Sequence, residues 1–290
     1  MRRRFLNNIK SISGGNHSEY LTIEALEDGL TAKLNYNDCE YRIDDGNWNT
    51  LSADSNTPSI NKGQTLSFRG NSLIFGTFEG IGTFTISKKC NLKGNIMSLL
   101  YGDDFFYKND LTSKDSVFYS LFRNCKTIVD ASKLILPATI LEIACYSNMF
   151  CGCTSLVTAP ELPATILEND CYSNMFYGCE SLTTAPSLPA TTLVSYCYYN
   201  MFYGCTSLSV APELPATILE NACYSNMFYG CSKLNSITML ATDISKSGCL
   251  SNWVTGVSST GTFVKHPDMT TLERGASGIP NGWTVVNDGE

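Results

Sequence analysis

Histidine is close to absent from this chain. His17 and His266 are the only two, and most of the sequence lies between them. A zinc centre therefore has no neighbouring histidine pair, and no Cys-x-x-Cys pair is present to replace it. Charge is scarce as well: 16% of the 290 residues are charged, with a formal net charge of -7. Bases are rarest in the middle. Between Cys145 and Asn235 stand six acids (Glu161, Glu168, Asp170, Glu180, Glu213, Glu220) and one base, Lys233. A nucleic-acid binder needs clustered Lys and Arg to displace counterions from phosphates, so nucleic acid is excluded as a partner. No apolar run approaches the about 20 residues that span a bilayer, so no membrane span is expected. The N-terminus, MRRRFLNNIKSISGGNHS, lacks the apolar core of about 7–15 residues that a secretory signal requires. Either a signal was removed ahead of this numbering or the chain reaches its place without one, and the initial Met favours the second. Gly-rich phosphate loops and a Gly-x-Ser-x-Gly sequence are also missing. No catalytic constellation and no cofactor are expected.

What the chain has in quantity is repetition. The unit CYSNMFYGCTSLxxAPELPATILEN, 26 residues long, starts at Cys145 and returns at Cys171, Cys197 and Cys223, then in worn form at Cys249. An earlier worn copy, VFYSLFRNCKTI, runs from Val117 to Ile128. Six units with degenerate ends are the signature of stacked repeats, because a terminal repeat faces solvent or a cap on one side.

Nine of the thirteen cysteines fall on two ladders, Cys145, Cys171, Cys197, Cys223, Cys249 and Cys153, Cys179, Cys205, Cys231. Equivalent positions in stacked repeats point the same way, so buried reduced thiols are expected. A disulfide joining the two ladders within one unit is the alternative.

Within a unit, Ile166, Leu167, Cys171, Met175 and Phe176 recur with helical spacing. Thr165 to Glu168 fits a capping box, and Gly178, Gly204 and Gly230 sit where a helix would end. Cys179 to Ala185 suits a short strand that Pro186 terminates. The expected class is therefore α+β: a leucine-rich-repeat solenoid of about six 26-residue units over residues 117–260. Each coil would bury Leu182, Leu188, Leu193, Cys197, Met201 and Phe202 or their equivalents.

Ahead of the repeats, residues 1–18 read as a flexible tail. Residues 19–95 carry short alternating runs (YLTIEAL, LTAKLNY, CEYRI, TLSFRG, GTFTISKK) bounded by turn residues, as in a small antiparallel β-sandwich. Asp44-Asp45-Gly46-Asn47 reads as a hairpin turn and lacks the ligand spacing of an EF-hand loop. Residues 96–116 form a junction and N-terminal lid, with Leu99, Leu100, Phe105 and Phe106 available to cover the open end of the stack. Residues 261–290 form a C-terminal cap, with Thr262–Lys265 and Trp283–Val286 as strands.

The motifs Met-Phe-x-Gly-Cys-x-Ser-Leu and Leu-Pro-Ala-Thr-x-Leu resemble the BspA-like leucine-rich repeats of gut Bacteroidales and of the phages that infect them. The resemblance covers about residues 117–260, and the flanking GTFVKHPDM, GIPNGWTV and YLTIEALEDGL look like segments that travel with such repeats. It implies non-enzymatic adhesion or recognition at a bacterial cell surface or a virion surface. The implied partners are a protein or glycan on a cell surface and, through the N-terminus, other virion proteins. The candidate contact residues are tyrosines. Tyr146, Tyr172, Tyr198 and Tyr224 repeat beside the first cysteine ladder, Tyr177, Tyr203 and Tyr229 precede the second, and Tyr199 replaces a serine. Tyrosine offers contact area with little entropy lost on ordering.

Overall fold

A computed structural model describes residues 19–73, 75–76 and 82–289, so the tail expected over residues 1–18 lies outside the described residues. The alternating N-terminal runs form β1 (Leu21–Ala25), β2 (Ala32–Leu34), β3 (Cys39–Ile43), β4 (Asn49–Leu51), β5 (Thr65–Arg69), β6 (Phe84–Ile86) and β7 (Cys90–Asn95). In β3, Cys39 and Tyr41 are buried while Glu40 and Arg42 stay accessible, as a strand with one wet face requires. With β8 (Ile128–Ile135), a six-stranded sheet has the order β4-β3-β5-β1-β7-β8, and β2 pairs with β6 in a second, two-stranded sheet. The two sheets meet where Phe84 packs edge-on to Phe68, ring centroids 5.2 Å apart. Asp44 turns the β3–β4 hairpin at φ 49°, and its carboxylate accepts the Thr65 N–H at 2.9 Å.

The sixth strand of the large sheet, β8 (Ile128–Ile135), belongs to the first repeat unit and pairs with β7 in parallel. The N-terminal sheet therefore runs straight into the repeats. Between them lie a four-residue helix, α1 (Ser98–Tyr101), and a 3-10 turn at Gly102–Asp104. Leu99, Leu100 and Phe105 of this segment are buried, whereas Phe106 is exposed. Arg69 ties the turn to the sheet: its Nη1 donates to Asp103 at 2.7 Å and its Nε to Glu40 at 2.8 Å. Tyr20 adds an O–H bond to Asp103 at 2.7 Å.

The α+β leucine-rich-repeat class is overturned by the repeats themselves. Among the described residues α1 is the only α-helix, it lies outside the repeats, and the fold is mainly β. The stretch with helical spacing is a run of tight turns. Ala144, Asn148 and Gly152 all have positive φ, at 51°, 58° and 75°. Asn174 and Gly178, Asn200 and Gly204, Asn226 and Gly230, and Asn252 and Gly256 repeat the last two. A left-handed residue at every fourth position breaks any α-helix.

Two sets of N–H groups alternate along this run. Ser147, Met149 and Cys151 donate within the coil to Ala144, Tyr146 and Asn148, at 3.1, 3.3 and 3.1 Å. Tyr146, Asn148 and Phe150 donate to Cys171, Ser173 and Met175 of the next coil, at 3.0, 2.9 and 2.9 Å. From Tyr146 to Cys151 every backbone donor is thereby satisfied without a helix. Two further lines of parallel bridges link the coils, through Asp130, Thr158 and Thr184 and through Asp110, Ile140 and Ile166.

The interior is built from columns. Leu182, Leu188, Leu193, Cys197, Met201 and Phe202 are all buried. Phe122, Phe150, Phe176, Phe202 and Phe228 stack along the axis with centroids 5.4–5.7 Å apart. The thirteen cysteines are free and buried. In the second ladder the thiol of Cys179 donates to Phe150 O at 3.2 Å, and Cys205 and Cys231 donate to Phe176 O and Phe202 O at 3.1 and 3.0 Å. Each of these thiols thus ties its coil to the one before it.

The strand column continues beyond the point where the sequence loses its period, with a step of 26 residues from Ser236 to Thr262 and a shorter one of 22 from Thr262 to Thr284. β9 (Ser236–Met239), β10 (Thr262–Lys265) and β11 (Thr284–Asn287) form a parallel sheet in which Ser236 faces Thr262 and Thr262 faces Thr284. Phe263 and Trp283 are buried, and the Trp283 indole N–H donates to Ser258 O at 2.7 Å.

Candidate functional site

The same turn wall places the candidate tyrosines in two different environments. Tyr177 points outward, while Tyr172, five residues before it, points into the core. Tyr146, Tyr172, Tyr198 and Tyr224 are each about 1% exposed. Their rings stack face to face behind Phe118, with centroids 5.8–6.0 Å apart. Burial pushes all four hydroxyls well above the ordinary tyrosine range. As contact residues these four are corrected: they are core, because they share the inward side of the wall with the first cysteine ladder.

Tyr177, Tyr203 and Tyr229 occupy the outward side. Tyr177 is 36% exposed and the other two are half-buried. Tyr177 stacks on Tyr203 at 4.6 Å and Tyr203 on Tyr229 at 4.7 Å, within 9° and 2° of parallel. The faces of Tyr203 are thus covered by its neighbours. What the column offers to solvent is a row of ring edges and phenol groups at the spacing of the coils. Burial between the flanking rings raises the Tyr203 hydroxyl above its ordinary range, followed in size by the influence of Tyr177 and Tyr229, so it stays a neutral donor at pH 7.

No family model, curated protein or solved structure matches this chain. The chemistry of the wall therefore has to be read from its own residues.

Tyr199 is half-buried and meets Tyr196 edge to face, with centroids 5.7 Å apart and planes at 67°. Tyr196 was not among the candidate contact tyrosines. It is 43% exposed and sits at φ 60°, where the equivalent residues are Ala144, Asp170, Ala222 and Gly248. A bulky aromatic side chain at positive φ is an outlier that costs on the order of 1–2 kcal/mol. The signal was present: Val194-Ser195-Tyr196 departs from Glu168-Asn169-Asp170 in a unit otherwise kept.

The asparagine column was missed too. Asn200 Nδ2 donates to Asn174 Oδ1 at 2.9 Å, and Arg123 Nη1 donates to Asn148 Oδ1 at 3.1 Å. Asn148 and Asn174 turn their own amides onto Ser147 and Ser173, both at 3.0 Å. These bonds stiffen the strip between the two tyrosine columns. Among the described residues no group of three or more His, Cys, Asp or Glu converges in a way that could hold a metal ion. No helix among them is long and apolar enough to cross a membrane.

Proposed function

We propose that this chain is a recognition protein that works without catalysis. Its repeat stack holds an outward tyrosine surface against a protein or glycan on a cell surface, in the manner of host-cell attachment. The observation that carries this reading is the outward group on one turn wall, in which Tyr177 and Tyr196 are exposed and Tyr199, Tyr203 and Tyr229 are half-buried. Aromatic rings held rigid before contact lose little entropy on binding. The repeat motifs shared with BspA-like surface proteins point to the same class of activity, on a bacterial cell or a virion.

The test replaces Tyr177, Tyr203 and Tyr229 together with serine and measures binding to host cells and to a glycan array. These side chains are outside the core, so the expected result is lost binding with circular dichroism unchanged. A folded triple-serine protein that still binds at the original level would overturn the proposal.

A further inference from the structure

A second site lies in the lead-in to the repeats and does not depend on the tyrosine wall. The segment after α1 runs into the first inter-coil bridge, Asp110 with Ile140, and Thr139 N–H donates to Asn109 O at 3.1 Å. Its backbone is thus fixed to the stack. Between residues 101 and 114 it encloses an open cleft of about 310 Å³, lined among others by Tyr101, Tyr107, Lys108, Asp110 and Lys114.

Three features of this cleft belong together. First, Lys108 Nζ and Lys114 Nζ stand 4.8 and 5.5 Å from the centre of one ring, Tyr101. One ammonium gains from a ring face, but a second brought to the same ring repels the first. Neither lysine is in an ion pair among the described residues. Second, the one carboxylate in the lining is held mainly by its own turn, with Lys114 a smaller influence. Asp110 accepts the Thr112 N–H at 2.6 Å, and the Thr112 hydroxyl and N–H, with Lys114 behind them, hold its carboxyl below the usual range. The lining keeps one positive charge in excess on a chain whose formal net charge is -7. Third, Tyr107 is 76% exposed and is braced edge to face by Phe106, with centroids 4.5 Å apart and planes at 83°. Unlike Tyr203, it has no ring stacked on it among the described residues.

Two ammonium groups lining one cleft favour an anion, and a braced open ring beside them suits the apolar face of a pyranose. We propose that this cleft binds an anionic sugar unit, with its sulfate or carboxylate at Lys108 and Lys114 and its ring against Tyr107. The contact is charge-assisted and largely exposed, so it weakens as salt screens it.

The test titrates the full chain at low ionic strength by calorimetry. The probes are a sulfated disaccharide, a uronic-acid disaccharide, their neutral counterpart and sodium sulfate. At least one charged disaccharide is expected to bind about tenfold or more tightly than the neutral one. Replacing both lysines (Lys108→Gln with Lys114→Gln) should remove that advantage, and Tyr107→Ser should weaken the disaccharide while leaving any sulfate binding alone. All three positions are at least partly exposed, so the fold is kept. The proposal is overturned if neither charged disaccharide binds, if the neutral one binds equally, if the double glutamine variant binds unchanged, or if sulfate alone binds as tightly as the disaccharide.

Discussion

Tyr203 and Tyr229 lie parallel on the outside of the stack with their centroids 4.7 Å apart, while Tyr198 and Tyr224, five residues earlier in the same two coils, lie buried at 6.0 Å. The outer pair is closer than the inner pair, although only the inner one is enclosed. Five positions along a run of four-residue turns are enough to move a side chain from the core to solvent.

The two columns should separate in stability measurements. Tyr203→Ser removes two exposed stacking contacts and is expected to cost about 1–2 kcal/mol. Tyr172→Ala empties a fully buried site and is expected to cost about 3–5 kcal/mol. Urea unfolding of the two variants checks the order. Equal losses would mean that the outer column is as much a part of the core as the inner one.

Among the described residues, two of the buried tyrosine hydroxyls have no hydrogen-bond partner, those of Tyr146 and Tyr198. An unpaired buried polar group costs about 1–3 kcal/mol. Tyr146→Phe and Tyr198→Phe keep the ring stack and delete only the hydroxyl, so each should raise the urea midpoint. The two sites are separated by Tyr172, so their gains should add in the double variant. A lowered midpoint in either single variant would show that the hydroxyl has a partner in solution.

Asn174 combines a backbone and a side-chain role. It stands at φ 55°, accepts the Asn200 amide, and donates to Ser173. Asn174→Gly keeps the left-handed turn and loses the side-chain bonds. Asn174→Ala loses both and adds about 1–2 kcal/mol of backbone cost. The alanine variant should therefore melt below the glycine variant; the reverse order would show that the conformation is not under strain.

That asparagine also explains what was and was not legible in the sequence. The 26-residue period, the columns and the buried set could be read directly, because stacking copies every apolar position. Ile166, Leu167, Cys171, Met175 and Phe176 matched a helical face, but only Leu167, Cys171, Met175 and Phe176 are buried, and Ile166 is 55% exposed. Glycine at 178 was compatible with a helix end. Asparagine at 174, four residues before it in every clean unit, was the discordant residue, since Asn and Gly are the side chains that tolerate positive φ. Hydrophobic spacing cannot register it, because a four-residue turn and a helix place apolar groups at nearly the same intervals. The same error put Tyr172, Tyr198 and Tyr224 outside, and serine at those three positions would now be expected to unfold the stack. Tyr177, Tyr199, Tyr203 and Tyr229 lie on the outward side, Tyr177 exposed and the other three half-buried, while Tyr196 shows in the sequence only as a departure from the repeat and the cleft at Lys108 and Lys114 gives no periodic signal.

The thiols give the last prediction, which concerns pH. All thirteen are free and buried. Desolvation by burial raises them throughout the ladders, with Cys145, Cys223 and Cys231, and Cys125 ahead of the ladders, pushed up to about 12. In the unfolded chain a thiol ionises near 8.5. Below that pH both states hold the proton and folding is unaffected. As the pH rises from about 9 toward 12, only the unfolded chain releases its thiol protons, so each raised group lowers stability over that window. The buried tyrosines act in the same direction at higher pH. The urea midpoint should be flat from pH 7 to 8 and fall steeply above 9, and Cys205→Ala should lower the midpoint at pH 7 but flatten the alkaline slope. A disulfide-forming reagent should find almost no thiol in the native protein and all thirteen in urea. Rapid modification of the native chain would mean that the coils open locally, and the fall in stability would then begin with the coils that react first.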